Sequence, residues 1–390
     1  MSREVPEGWT LQSLNGLIKL IPGWPFKSNR FTENPDKGRP LIRIRDLVKQ
    51  APAVFTPEDC DDRYSVNDGD YLIGMDGEFL AVKWQGPSAV LNQRVLKITS
   101  ADECLDANFL FYRIQPALSD IEARTGATTV KHLSTKDLLS LNLGLPPLHE
   151  QRRIAEILSS VDEAIAATRA VIEQTRKVKQ GVLERLLTKG IGHTRFKQTE
   201  IGEIPEGWEV HSFGTIFKLT SGKLKSVKGL AAAESDTAPY PAYGGNGVAG
   251  YSADYLIDGE LIVIGRVGEY CGSIYKSSGK VWVTDNALYT KEILADVDLD
   301  FIAYAFSRVP AERIRGGGGQ PLVSQAAIYR QTLALPSLDE QKAIVEILSC
   351  FDTSVSDLQF AKLVEIKSAL MSDLLTGRKR VSDAVPMAAE

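Results

Sequence analysis

Cysteine and histidine are scarce, four of each in 390 residues. Cys60, Cys104, Cys271 and Cys350 are scattered, with no CxxC pair and no Cys/His ligand spacing, so reduced thiols are expected rather than a disulfide framework or a zinc site. His132, His149, His193 and His211 form no HExxH and no triad-like pattern. No apolar run approaches the ~20 residues that span a bilayer. The opening Met1-Ser2-Arg3-Glu4-Val5-Pro6 is not of signal-peptide type, and a cytoplasmic protein without membrane contact is expected. Positive charge is not in excess: 45 Lys and Arg face 50 Asp and Glu, a net charge of −5. That argues against a uniformly basic nucleic-acid binder but leaves room for local basic patches.

Catalytic signatures are missing too. Asn34-Pro35-Asp36 is not the Asn/Asp-Pro-Pro-aromatic motif of amino-methyl transfer, and it does not open an acidic nuclease signature. Gly222-Lys223 and Gly279-Lys280 lack the upstream glycine and following hydroxyl of a phosphate-binding loop. The expectation is a non-catalytic chain with no cofactor of its own.

What is present is a repeat. Val5-Pro6-Glu7-Gly8-Trp9 recurs as Ile204-Pro205-Glu206-Gly207-Trp208, 199 residues on. The stretch Leu145–Ile165 recurs 190 residues on, from Leu335, with 11 of 21 positions identical, including Leu-Pro, Glu-Gln and Asp162/Asp352. Leu186-Leu187-Thr188 returns as Leu374-Leu375-Thr376. The segments between, Trp9–Leu145 and Trp208–Leu335, differ much more. A repeated frame around two diverged inserts suggests two readers of different text on one scaffold.

Prolines 146, 147 and 336 precede two helical stretches, and Asp339 is a plausible N-cap for the second. Ile154, Leu158, Val161, Ile165, Thr168, Ile172, Thr175, Lys179, Val182 and Leu186 follow 4-3 spacing, the seam of a coiled coil. In the second helix Ile344, Leu348, Phe351, Val355 and Leu358 hold the pattern, which slips and resumes at Leu363, Ile366, Leu370 and Leu374. A one-stripe helix of this length needs a partner. The other repeat can supply one in antiparallel packing, or a second chain can.

Both inserts carry short β-type runs between turns. In the first these are Pro40–Arg45, Tyr71–Ile73, Phe79–Val82 and Val90-Leu91, with Asn108–Gln115 and Ser134–Leu139 helical or mixed. In the second they are Leu261–Ile264 and Lys280–Val283. Each insert is expected to be a mixed α/β unit around a twisted sheet.

This frame resembles the specificity subunits of type I restriction–modification enzymes. The resemblance covers nearly the whole chain. It rests on Pro6-Glu7-Gly8-Trp9, Gly23–Ser28, Leu41–Leu47, Gly126–Ser134, Leu145–Leu148 with Glu150-Gln151, Tyr240–Gly247, Ile264–Gly268 and Val283–Leu288. It implies an α/β fold: two mixed α/β target recognition domains separated by two long antiparallel coiled-coil helices, with a pseudo-twofold internal repeat. The expected boundaries are a first recognition domain at 1–146, a central helix at 147–190, a second recognition domain at 191–336, a C-terminal helix at 337–377 and a flexible tail at 378–390. The resemblance further implies double-stranded DNA with a bipartite site, two methyltransferase subunits and restriction/translocase subunits as partners. S-adenosylmethionine, ATP and Mg would belong to those partners. A coiled-coil interaction scaffold without DNA specificity is the alternative.

Base readout needs donors of fixed geometry, and phosphates need positive charge or backbone N–H groups. No acidic residue lies between Glu209 and Glu234, while Lys218, Ser221, Lys223, Lys225 and Lys228 do. Lys27, Ser28, Arg30, Arg43 and Arg45 hold the matching part of the first insert, with Lys131 in the Gly126–Ser134 stretch. Tyr243 and Asn246 flank Gly244-Gly245, either a groove-entering loop or a plain hairpin turn. Arg266 and Asn286 are readers or members of a core network. Gly316–Gln320 is a glycine-rich loop whose place parallels Gly126–Leu133, either close to DNA or simply a flexible connection. Trp9 and Trp208 are expected as core anchors. For docking of partner subunits the seam residues Ile154, Leu158, Val161, Ile165, Ile344, Leu348, Phe351 and Val355 are the candidates.

Overall fold

A computed structural model describes residues 5–125, 131–316, 321–351 and 354–381; the side chains of 227 and 354–358 fall outside that description. The stretches 126–130 and 317–320, Asp352 and the side chains of Val355 and Leu358 therefore lie outside the described residues. The chain is mixed α/β and divides into two compact units, one of residues 1–169 with 358–390, the other of 170–357. The boundary falls inside the long helix Leu148–Lys189, so each unit takes half of it.

In the first unit an antiparallel sheet runs in the order Ile18–Pro22, Val95–Ser100, Tyr71–Gly74, Ala81–Lys83. A second sheet runs Phe55–Thr56, Arg39–Ile42, Ala89–Leu91, Ser65–Val66, with its central pair parallel. The second unit repeats both orders: Phe217–Ser221, Ala287–Ile293, Leu261–Gly265, Ile274–Ser277, then Gly247–Ser252, Tyr240–Gly244, Lys280–Val283, Ile257–Asp258, again with a parallel central pair. Val- and Ile-rich strands such as Leu261–Gly265 are buried throughout, as strands covered on both faces must be. The run Pro40–Arg45 is not one strand: it stops at Ile42, and Arg43 opens a four-residue helix, Ile44–Leu47, because the buried Asp46 carboxylate accepts the Arg43 N–H at 2.9 Å.

The repeated Glu-Gln pair has a structural explanation. Gln151 is 1 % exposed; its amide donates to the Pro146 and Cys104 carbonyls at 2.9 Å, and its oxygen accepts the Asp106 N–H at 2.9 Å. Gln341, equally buried, donates to the Pro336 carbonyl and accepts the Asp298 N–H, both at 2.9 Å. Asp106 caps the helix Ala107–Arg124 and Asp298 caps Leu299–Ser307, so one glutamine in each unit ties a long helix to the first turn of a domain helix.

The helix Leu148–Lys189 carries its apolar stripe as spaced in sequence: all ten 4-3 positions are buried or half-buried, while 169–171, 173, 174 and 176–178 are exposed. In the first unit its Asp162 pairs with Lys367 at 2.6 Å, and the Arg169 guanidinium lies 5.2 Å from the Phe360 ring. Seven residues forward on one helix thus match seven backward on the other, Ser354–Leu374. Two expectations change here. Ser337, not Asp339, caps the helix Leu338–Ser349. Ile366 is exposed, and Lys367 takes the inward place instead, over the Tyr112 ring at 5.9 Å. Lys179 does the same over Tyr304 at 5.6 Å in the second unit, which accounts for a lysine inside the stripe.

The expected loose tail is tied down where it is described. Arg380 makes a two-point pair with Glu150 at 2.7 Å on each arm and also donates to the Glu7 carbonyl, while Arg378 and Lys379 pair with Asp373. Trp9 and Trp208 are buried core residues.

Candidate nucleic-acid interface

In the second unit four loops converge at one end of the sheets. They follow the strands ending at Ser221, Gly244 and Gly265, and the turn at Thr284–Asn286. Close approach demands glycine here: a Cβ on Gly222 would sit 2.2 Å from the Val283 carbonyl oxygen, and one on Gly245 would sit 2.6 Å from that of Val267. A shallow cleft of about 280 Å³ opens between Gly245, Asn246, Val267, Tyr270 and Asn286.

The structure brings five of the candidate residues to this place. The Arg266 guanidinium donates to Ser221 Oγ at 3.2 Å, and the Arg266 N–H donates to the Asn286 carbonyl at 2.9 Å. Asn246 and Asn286 are exposed at the cleft, with Asn246 Oδ1 accepting from the Tyr275 hydroxyl at 3.4 Å. Tyr243 packs beside Tyr275, ring centroids 6.4 Å apart. Arg266 is therefore part of an internal network, and its side chain braces the Ser221 loop.

The lysines beyond Ser221 divide. Lys223 and Lys228 are exposed. Lys225 is engaged within the fold, its ammonium 3.9 Å from the Trp282 ring centroid and 2.5 Å from Ser252 Oγ. In the first unit Lys27, Ser28, Arg30 and Arg45 are exposed, with Ser28–Arg30 forming one 3-10 turn. Arg43 is drawn inward to Asp46 at 3.4 Å, and Lys131 pairs with Glu122 at 3.2 Å. These pairs leave Arg43, Lys131 and Lys225 with internal roles that the sequence did not reveal.

The docking candidates need correction. Ile154, Leu158, Ile344 and Leu348 are fully buried in the chain's own cores, where Ile154 and Leu158 join Leu374 and Leu375, and Ile344 and Leu348 join Leu183, Leu186 and Leu187. A partner cannot touch these side chains in this fold. Val161, Ile165 and Phe351 are half-buried, and the Val355 side chain lies outside the described residues.

Sequence reasoning missed one cluster. In the first unit Arg94, Asp76 and His132 meet at the loop ends: Arg94 Nε lies 3.3 Å from Asp76, and His132 Nδ1 lies 2.6 Å from the same carboxylate. Nothing in the linear spacing, 18 and 56 residues, marks them as neighbours.

Among the described residues there is no group of acidic, histidine and cysteine side chains able to hold a metal ion, and no helix long and apolar enough to cross a membrane. The two units thus define a class: a protein of duplicated mixed α/β heads, each ending in a loop cluster of its own composition. The family model described as "Type I restriction modification DNA specificity domain" matches twice, over residues 6–175 and 205–368. The chain belongs to the type I restriction–modification specificity subunit family.

The type I restriction enzyme MjaVIII specificity subunit of Methanocaldococcus jannaschii is 25% identical over 97% of this chain and 95% of its own. The EcoBI specificity subunit of Escherichia coli is 35% identical over 52% of this chain and 45% of its own. The crystal structure of a type I restriction–modification S subunit from M. genitalium has the same fold, with a TM-score of 0.64 at 17% identity over 96% of this chain and 97% of that one.

Proposed function

We propose that the chain reads a two-part double-stranded DNA site, one half per recognition head, and that its helices space the heads and dock two methyltransferase subunits. The heads are 1–146 and 191–336, the spacers 147–190 and 337–377. The spacers run as an antiparallel coiled pair and the halves are related by a pseudo-twofold. The chain does no chemistry itself. S-adenosylmethionine, ATP and Mg act in the methyltransferase and restriction/translocase subunits.

The observation that carries this reading is the contrast between frame and loops. Strand order and the glutamine ties recur in both units, while the loop ends carry Asn246 and Asn286 in one and Arg45 and Arg94 in the other. A duplicated scaffold with unlike reading edges suits an asymmetric split target. Since Ile154, Leu158, Ile344 and Leu348 are buried, docking falls to half-buried Val161, Ile165 and Phe351 and to outward residues such as Val171 and Val178, both exposed and one heptad apart.

The test is co-expression with the methyltransferase subunit and mapping of N6-methyladenine. A split motif with one modified adenine in each half is expected. Replacing residues 205–335 with another head should change one half only; a change in both sinks modular readout. Adding one heptad to both helices should widen the gap between half-sites, which otherwise lie about one DNA turn apart.

A further inference from the structure

The two loop clusters correspond residue by residue through matched backbone contacts. Met75 N–H donates to the Arg94 carbonyl at 3.0 Å, as Arg266 N–H does to Asn286 at 2.9 Å. Leu133 N–H donates to the Met75 carbonyl at 2.7 Å, as Val323 N–H does to Arg266 at 2.8 Å. Gly77 N–H donates to Lys131 as Gly268 N–H does to Pro321, and the bridge Asp76–His132 matches Val267–Leu322. Arg94 therefore stands where the second unit has Asn286, Asp76 where it has Val267, and His132 where it has Leu322.

With a common backbone, the side chains differ in kind. Asn286 is an exposed neutral amide beside Val267, which can hold no cation. Arg94 is a half-exposed cation (54 % of its side chain) whose Nε edge is held by Asp76, itself only 22 % exposed and also bound by His132. The Arg94 Nη1 lies 3.5 Å from His132 Nδ1. A carboxylate ion-paired at Nε restrains a guanidinium, and a restrained fork loses less freedom when it makes two parallel hydrogen bonds. Two acceptors side by side on a base edge are what guanine shows in the major groove, whereas an amide pairs with adenine.

Resting on the proposed function, we infer that Arg94 is a specificity-determining residue that reads a guanine in the half-site of the first recognition head. Asp76 and His132 are positioning residues that aim its fork. Asn286 holds the matching place in the second head with amide chemistry, so the two half-sites differ at corresponding positions.

The experiment uses the full chain assembled with its methyltransferase subunits, selecting from a pool of random-sequence duplexes, for wild type, Arg94→Gln, Arg94→Lys and Asp76→Asn. Wild type is expected to select a split motif with a required guanine in one half. Arg94→Gln should cut discrimination at that guanine by about tenfold or more, the scale of one two-point base contact. The other half should stay intact, which also shows that the variant is folded. Arg94→Lys keeps the charge without the fork and should lose the guanine as well. Asp76→Asn should relax the same position less.

Unchanged selectivity in Arg94→Gln overturns the inference. So does an Arg94→Lys variant with the wild-type motif, which assigns Arg94 to a phosphate. A wild-type complex that selects no motif overturns the DNA-reading function itself, and with it this inference, before any variant is compared.

Discussion

Glu150 and Glu340 hold the same place in the two copies of the frame, yet different groups answer them. Glu340 accepts from Trp208 Nε1 at 3.0 Å, from the Ile191 N–H at 3.0 Å and from His193 at 2.8 Å, all supplied by the chain just after the long helix. Glu150, 3 % exposed, is held by Arg380, which follows the last helix. Gly190 and Gly377 end the two long-helix segments with positive φ, +63° and +70°, beside Trp208 and Trp9 respectively. The start of the chain and its end thus do together in one unit what a continuous linker does in the other. A tail that looks like disposable charge in sequence completes the first unit.

The largest effect should come from breaking the Arg380 contact. Arg380→Ala leaves the buried Glu150 carboxylate without its half-exposed cation, an expected loss of about 2–3 kcal/mol in the first unit alone. Hydrogen exchange followed in Val5–Leu14 and Leu148–Leu158 should speed up, with 170–357 unchanged; equal exchange in both units would refute the assignment. Gln151→Ala and Gln341→Ala remove ties of the same design, and each should cost about 2 kcal/mol by leaving an Asp N–H and a proline carbonyl unpaired. Unequal losses on denaturation of the two units would show that the ties are not equivalent. His193→Ala should cost about 1 kcal/mol, because Glu340 keeps Trp208 and the Ile191 N–H. A loss as large as that of Arg380→Ala would erase the contrast. Smallest is Tyr112→Phe, which removes the 2.8 Å hydrogen bond to Asp162, about 0.5–1 kcal/mol. Burial, then the Asp162 hydrogen bond, pushes the Tyr112 phenol well above its ordinary value, so it should stay un-ionised in alkali after an exposed tyrosine has titrated.

The candidate interface was only partly legible. Asn246, Asn286, Arg266 and Ser221 were each legible as candidates, but not that they meet; Gly245 and Gly222 let their loops pass within contact distance. Arg94 escaped notice because its carboxylate and histidine partners arrive from other strands. Lys225 and Arg43 were visible as charge, but Trp282, Ser252 and Asp46, which engage them, were not visible as neighbours.

The sequence by itself determined the duplicated frame, the helical stripe and the family, because repeats and 4-3 spacing are properties of order along the chain. Only the tertiary structure decided which charges are spent inside, that Ile154, Leu158, Ile344 and Leu348 are buried within the chain, and that Arg380 answers Glu150 across 230 residues. Those outcomes depend on which distant groups a fold brings within about 3 Å of one another, and spacing along a chain does not encode that distance.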